Sequence, residues 1–141
     1  MPRTITQKVV FKNIPVATLY NIYLDSKEHS ASTGASVKIQ KKEGSKFSAH
    51  DNYITGKNLE LAKDKLIVQS WRAVDWNKSD PDSTFIFLFE KNGSHGIINM
   101  VHANVPDRKY ENLKKSWNDY YWKSWKVYFA HRPVRGLHKK K

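Results

Sequence analysis

The chain has 141 residues, a net charge of +12 and no cysteine, and 39% of its residues are hydrophobic. This length predicts one domain with a buried core, and the lack of cysteine excludes disulfides and thiolate metal sites. No apolar run approaches the roughly 18 residues that a membrane span needs. The N-terminus carries no secretory signal. These features predict a cytoplasmic protein.

The positive charge is concentrated near the C-terminus. The segment Arg108–Lys141 holds 11 of the 25 basic residues and only two acids, Glu111 and Asp119. We interpret it as a solvated surface that can steer an acidic protein partner. Nucleic-acid binding ranks last, because the glycine–aromatic signatures of RNA-binding modules are absent. Residues 131–141 combine Pro, Gly and charge, which predicts a disordered basic tail after a single domain over residues 1–130.

The N-terminal part of the chain predicts a strand followed by two short helices. Residues 4–11 alternate and are rich in β-branched side chains, which is typical of a strand. Apolar residues recur at helical spacing over residues 16–25 and predict a first helix. Ser26 is expected to cap a second helix over residues 27–33, and Gly34 to end it.

Six further strands are predicted before Pro106, which gives a total of seven. Turn residues separate them, and Asn92-Gly93 is the strongest hairpin signal. Because short turns join these strands, we expect an antiparallel sheet. The six predicted strands cover residues 37–39, 46–50, 53–61, 65–73, 83–90 and 95–105.

A long aromatic helix is predicted from about Asp107 to Phe129, a segment with no Gly and no Pro. These aromatic residues are typical of a core, and the alternative is that some of them line a ligand groove in which the small Ser124 leaves room. At 100° per residue, one stripe of this helix carries Tyr110, Leu113, Trp117, Tyr121, Ser124 and Tyr128. The basic residues Lys115, Lys123 and Lys126 lie away from this stripe.

Several short blocks of the sequence, in their order and spacing, are similar to those of a known protein family. The blocks are Gly44–Phe47, Tyr53–Leu61, Lys65–Arg72, His102–Pro106 and Ser116-Trp117 with the aromatic residues that follow. Residues 4–129 resemble the START-like, birch-pollen-allergen-like (SRPBCC) superfamily. Within it they resemble the family named after the C-terminal domain of the activator of heat shock protein 90 ATPase. Asn104 and Ser116 stand where glycine is commoner in that family.

This resemblance implies an α+β helix-grip fold. A curved antiparallel sheet of about seven strands wraps around the long C-terminal helix, with two short helices after the first strand. The function implied is a binding module for a small hydrophobic ligand, held between the sheet and the helix. The alternative is a co-chaperone-like protein that docks on an ATPase chaperone and stimulates it. The candidate ligand residues are Tyr53, Trp71, Met100, His102, Trp117, Tyr121 and Ser124. The candidate docking residues are Lys115, Lys123 and Lys126.

His102 is the polar residue that is best suited to bind a ligand or to transfer a proton in such a cavity. Alternation places it with Ile98 and Met100 on the strand face that, by the resemblance, looks at the helix. There it holds a ligand or acts as an acid–base group, or else it is a hydrogen-bonded core histidine. No catalytic or cofactor motif occurs, and the six histidines lack metal-ligand spacing. We therefore expect no cofactor, no metal and no enzyme, with a cofactor-free enzyme on an apolar substrate as a lower-ranked alternative.

The strand that begins near Thr84 is apolar on both faces. Phe85, Phe87 and Phe89 share one face, whereas Ile86 and Leu88 share the other. The resemblance implies that Ile86 and Leu88 point inward, which leaves the three phenylalanines as an exposed patch for a homodimer. A register shifted by one residue reverses this assignment.

Overall fold

A computed structural model describes residues 2–131 and contains one six-stranded antiparallel sheet with the order β1-β6-β5-β4-β3-β2. Irregular pairing between Asn58 and Glu60 marks a bulge in β3, a feature that bends a strand. The strands are β1 (Arg3–Phe11), β2 (Lys46–Ala49), β3 (Ile54–Ala62), β4 (Leu66–Ala73), β5 (Ser83–Asn92) and β6 (His95–Val105).

The expected seventh strand, over residues 37–39, is wrong. This segment forms only an isolated bridge between Lys38 and Ser48. Its other backbone groups are taken by a helix instead. The Ser26 hydroxyl donates to the Ile39 carbonyl at 2.9 Å and accepts from the Ile39 N–H at 2.7 Å. Because side chains satisfy these groups, the segment does not extend into a full ladder.

Two short helices, α1 (Val16–Leu24) and α2 (Ser26–Thr33), follow β1 as expected. Asp25, not Ser26, caps α2, since its carboxylate accepts from the Glu28 N–H at 3.0 Å. The prediction for Ser26 is wrong because its hydroxyl is engaged with the 37–39 segment. Gly34 ends α2 with a φ of 80°, the left-handed conformation that glycine adopts without strain.

The C-terminal helix, which comprises residues 110–130, is not regular. It consists of α3 (Tyr110–Ser116), a π-helical turn (Trp117–Trp122) and α4 (Lys123–Ala130), and a short 3₁₀ turn (Asp107–Lys109) precedes it. A π-turn adds one residue to a helical turn. As a result, Trp117 and Trp122, five residues apart, stack with ring centroids 5.6 Å apart and both face the core.

The inward face of β5 is the reverse of the one expected. Phe85 and Phe87 are fully buried, and Leu88 is 49% exposed. The two rings pack on Trp117, with centroids 5.4 and 5.7 Å away, and on Tyr23. Phe89 is half-buried. The predicted homodimer patch of Phe85, Phe87 and Phe89 is therefore wrong, because the largest side chains of the strand form the core.

The sheet curves over the C-terminal helix, and the core lies between the two layers, which is the helix-grip arrangement. Trp125 of the helix and Ile67 and Ile98 of the sheet are fully buried there. None of the helices among the described residues has the length and apolar character that crossing a bilayer requires. The predicted tail, apart from His131, lies outside the described residues.

Candidate functional site

A cavity of about 340 Å³ lies between one end of the sheet and the first half of the C-terminal helix. This volume is within the range of small-molecule sites. The sheet side and its loops contribute His50, Tyr53, Ile54, Trp71, Ala73 and Trp76. The helix side contributes Lys109, Asn112, Leu113, Ser116, Trp117, Tyr120 and Tyr121. The wall is mostly aromatic, with polar groups from the helix side and the rim.

Four of the seven candidate ligand residues meet at this cavity, namely Tyr53, Trp71, Trp117 and Tyr121. The other three do not line it. Met100 and His102 are buried behind the wall. Ser124 lies further along the helix, where its hydroxyl donates to the Asp119 carbonyl at 3.2 Å. The small residues that leave space are Ser116 and Ala73.

His102 links Trp71 and Trp117, two of the three tryptophans that line the cavity. The Trp117 Nε1–H donates to Nδ1 of His102 at 2.9 Å, which leaves the proton of the ring on Nε2. That Nε2–H donates to the Ser83 hydroxyl at 2.7 Å, and the Ser83 hydroxyl donates to the Trp71 carbonyl at 2.7 Å. Burial lowers the pKa of His102 to about 3. Of the alternatives left open, the geometry is that of a neutral, hydrogen-bonded core histidine that orients Trp117.

A second buried histidine, which the sequence did not single out, holds Tyr121 in the same way. The Tyr121 hydroxyl donates to Nε2 of His29 at 3.0 Å, and the His29 Nδ1–H donates to the Tyr23 carbonyl at 2.8 Å. Burial lowers the pKa of His29 to about 3 and raises that of Tyr121. The Tyr121 ring is thus fixed in the wall by a bond made at its far end.

A salt bridge lies beside the mouth of the cavity. The Lys109 ammonium is 3.0 Å from a carboxylate oxygen of Asp75, and the Tyr53 hydroxyl also bonds to this carboxylate. Both partners hold the pKa of Asp75 below its usual range, Lys109 with the larger effect. These bonds connect three segments of the rim: the turn before β3, the loop after β4 and the start of the C-terminal helix.

His50 enters the wall from an unusual turn. His50, Asp51 and Asn52 have φ values of 51°, 58° and 73°, so three consecutive non-glycine residues are left-handed. Each such residue costs on the order of 1–2 kcal/mol, somewhat less for Asp and Asn. The His50 ring lies 5.7 Å from the Tyr121 ring and 5.9 Å from the Tyr120 ring. Burial lowers its pKa, and the Asp51 charge opposes this shift. The only indication of this turn in the sequence is weak, namely the tolerance of Asp and Asn for the left-handed conformation.

The candidate docking residues Lys115, Lys123 and Lys126 are all exposed on the C-terminal helix. Lys123 lies 3.7 Å from Asp119 one turn earlier, and the Lys126 ammonium lies 5.7 Å from the centre of the Phe11 ring. Among residues 2–131, no three His, Asp or Glu side chains are grouped closely enough to hold a metal ion.

The family described as "Activator of Hsp90 ATPase homolog 1-like protein" matches residues 13–130. The chain is 26% identical over 127 residues to the activator of 90 kDa heat shock protein ATPase homolog 1 of Homo sapiens, which covers 90% of this chain and 37% of the human protein. A homologue from Dictyostelium discoideum is 26% identical over 116 residues, 82% of this chain and 30% of that protein. The chain thus spans about a third of the length of these relatives.

Solved structures of similar extent share this architecture. An HSP90 activator from Plasmodium falciparum superposes with a TM-score of 0.78 at 27% identity, over 92% of this chain and 96% of that one. CalU16 from Micromonospora echinospora superposes with a TM-score of 0.72 at 16% identity, over 92% of this chain and 80% of that one. At this lower identity the likeness supports the fold alone.

Proposed function

This chain belongs to the family of Activator of Hsp90 ATPase homolog 1-like proteins, and we propose that it is a binding module for a small hydrophobic ligand. The observation that carries the proposal is the cavity of about 340 Å³ between the sheet and the C-terminal helix. Trp71, Trp117 and Tyr121 form its buried floor, and Tyr53 and Tyr120, which are 44% and 55% exposed, add apolar ring surface at its mouth. Burying such surface against a ligand is the main driving force for binding in a site of this kind.

The wall is organised before any ligand arrives. Trp117 is held by His102, and Tyr121 is held by His29, through buried hydrogen bonds of 2.9 and 3.0 Å. Rings fixed in this way lose little freedom when a ligand binds, so more of the contact energy appears as affinity. This preorganisation supports a role in binding beyond that of core packing.

Filling the cavity from the helix tests the proposal. The substitution Ser116→Phe places a ring in the space that Ser116 leaves. The matched control is Ser124→Phe, the same change in the same helix outside the cavity wall. We expect calorimetry with a panel of one- and two-ring aromatic compounds to show binding to the wild type and the control, and at least about tenfold weaker binding to Ser116→Phe.

Circular dichroism must show that both variants are folded. Equal affinities of folded Ser116→Phe and of the wild type would place the ligand elsewhere. A wild type that binds none of the compounds would reject the proposal.

The relatives favour a second candidate function. The human and Plasmodium falciparum proteins are described as activators of the heat shock protein 90 ATPase or of HSP90, and the Plasmodium chain matches this one over 96% of its length. We propose as the alternative that this chain docks on an ATPase chaperone. The exposed lysines Lys115 and Lys123 offer positive charge for an acidic surface.

This alternative predicts that the chain raises the steady-state ATPase rate of an Hsp90 chaperone. Reversing two charges, with Lys115→Glu and Lys123→Glu together, is expected to remove most of the increase at low salt because complementary charge speeds association. Lys63→Glu, in the exposed turn between β3 and β4, is the control and retains the increase. No stimulation by the wild type, or equal stimulation by the double variant, would count against docking through this surface.

A further inference from the structure

The helix side of the cavity carries a strip of hydrogen-bond donors. Lys109, Asn112 and Ser116 all line the cavity. Lys109 ends the 3₁₀ turn that leads into the helix, and Asn112 and Ser116 lie four residues apart on one face of α3. Their side chains offer an ammonium, an amide NH₂ and a hydroxyl. The sheet side opposite them is mainly apolar, with Ile54, Trp71 and Ala73, and His50 and Tyr53 carry its polar groups. The cavity is therefore two-sided, with one apolar wall and one donor wall.

Two members of this strip are not engaged elsewhere. Among residues 2–131, neither the Asn112 amide nor the Ser116 hydroxyl makes a side-chain hydrogen bond, whereas Ser124 of the same helix is bonded to a backbone carbonyl. Lys109 gives one of its three donors to Asp75 at 3.0 Å. Asn112 is exposed at the mouth of the cavity and Ser116 is half-buried, so both donors are accessible to a ligand that brings acceptors.

The formal charge in the lining of the cavity is positive. Lys109 is the one formally charged side chain that lines the cavity within the described residues, and no Asp or Glu lines it there. The net charge of the chain, +12, adds a long-range attraction for anions. Asp75 acts in the opposite direction, because it is paired with Lys109 outside the wall.

We propose that the ligand is a flat aromatic carboxylic acid, with its ring against Trp71 and Trp117 and its carboxylate on the Lys109–Asn112–Ser116 strip. The carboxylate accepts hydrogen bonds from the strip, and the bond to the ammonium is charge-assisted. The ring contacts Trp71 and Trp117. This inference rests on the proposed ligand-binding function and adds the chemical class of the ligand.

A matched pair of probes tests the acid group separately from the ring. 2-Naphthoate and 2-naphthamide have the same ring system and nearly the same shape, and only the first carries a charge. By calorimetry we expect the wild type to bind the acid at least about tenfold more tightly than the amide, as a charge-assisted hydrogen bond to a charged partner predicts. In Lys109→Met the preference is expected to fall to within about twofold, while the affinity for the amide stays the same.

Two further variants sharpen the test. Lys115→Met removes the same charge from the same helix, but outside the cavity, and is expected to retain the preference. Asp75→Asn releases Lys109 from its partner and is expected to strengthen the binding of the acid about twofold or more without changing that of the amide.

Each outcome of the probe pair decides one point. Equal binding of acid and amide by the wild type, or a preference that survives Lys109→Met, overturns the assignment of an acid while leaving the hydrophobic site in place. A preference lost equally in Lys115→Met attributes it to net charge and also overturns the assignment. Binding of neither probe rejects the site itself together with its ligand class.

Discussion

Single residues decide the electrostatics of this fold, and the two buried histidines are the clearest case. His102 and His29 each use both ring nitrogens in hydrogen bonds, and burial lowers the pKa of each to about 3. In the unfolded chain these groups titrate near 6.5. The unfolded state therefore binds more protons than the folded state between these two values. The contribution of the two histidines to the free energy of unfolding is therefore fully present above about pH 6.5, and it is lost as the pH falls towards 3.

We predict that the substitution His102→Asn reduces the pH dependence of stability. From pH 7.5 to 5.0, linkage predicts a loss of about 2 kcal/mol for each buried histidine. In His102→Asn, the loss over that range is expected to be smaller by about 2 kcal/mol. At pH 7.5 the variant is itself less stable by about 1–3 kcal/mol, because buried partners lose a hydrogen bond. Urea unfolding at the two pH values measures both quantities. An unchanged difference between pH 7.5 and 5.0 would show that the pKa of His102 is the same in the folded and the unfolded state.

At the scale of elements, the π-turn over Trp117–Trp122 determines which helix residues face the sheet. A regular helix of 100° per residue places Ser124 in the inward stripe. The extra residue of the turn instead brings Trp122 and Trp125 inward, and both are at most 3% exposed. Ser116, before the turn, is the serine that lines the cavity. Periodicity alone does not predict this change of inward face after the π-turn. Aromatic residues occur on both the buried and the exposed sides of the helix, so the pattern does not show where the extra residue lies.

Removing the extra residue is expected to leave the core in place. Deletion of the exposed Asn118 converts the π-turn to a regular helical turn, and α4 keeps the same face towards the sheet because the π-turn holds one residue more over the same rotation. Insertion of one alanine after Asn118 instead rotates α4 relative to α3 by about 100°. Trp125 then leaves the core, which predicts a cost of about 3–5 kcal/mol, as for the loss of a large buried side chain. Urea denaturation compares the two variants, and an insertion as stable as the deletion would show that the orientation of α4 contributes little to stability.

Strand β5 shows a different limit of sequence reasoning. Alternation correctly separates Phe85 and Phe87 from Ile86 and Leu88, but it does not say which set is inside when both are apolar. The resemblance assigned the wrong face. Side-chain size gives the better criterion, because two rings that contact Trp117 and Tyr23 bury more area than the aliphatic pair.

At the scale of the whole molecule, hydrophobic periodicity and turn residues predicted the order of the elements and an antiparallel α+β class, and the family resemblance supplied the helix-grip fold. The sequence did not predict that Ser26 would bind the backbone of Ile39, since that contact joins residues 13 apart in the chain. The site was predicted in part. Trp71 and Trp117 line the cavity, while Lys109 and His50 were missed because only the folded chain brings loop and helix together.

The left-handed turn at His50, Asp51 and Asn52 has a consequence for how this protein can change over time. Glycine at Asn52 would relax the backbone and raise the melting temperature, whereas glycine at Asp51 would also lose the hydrogen bond that the Asp51 carboxylate accepts from the Ser36 N–H at 3.1 Å. Glycine at Asn52 would also make the turn that positions His50 and Tyr53 at the mouth of the cavity more flexible. A gain in thermal stability at this turn is therefore expected to make the mouth of the cavity less rigid, so that selection for one property erodes the other.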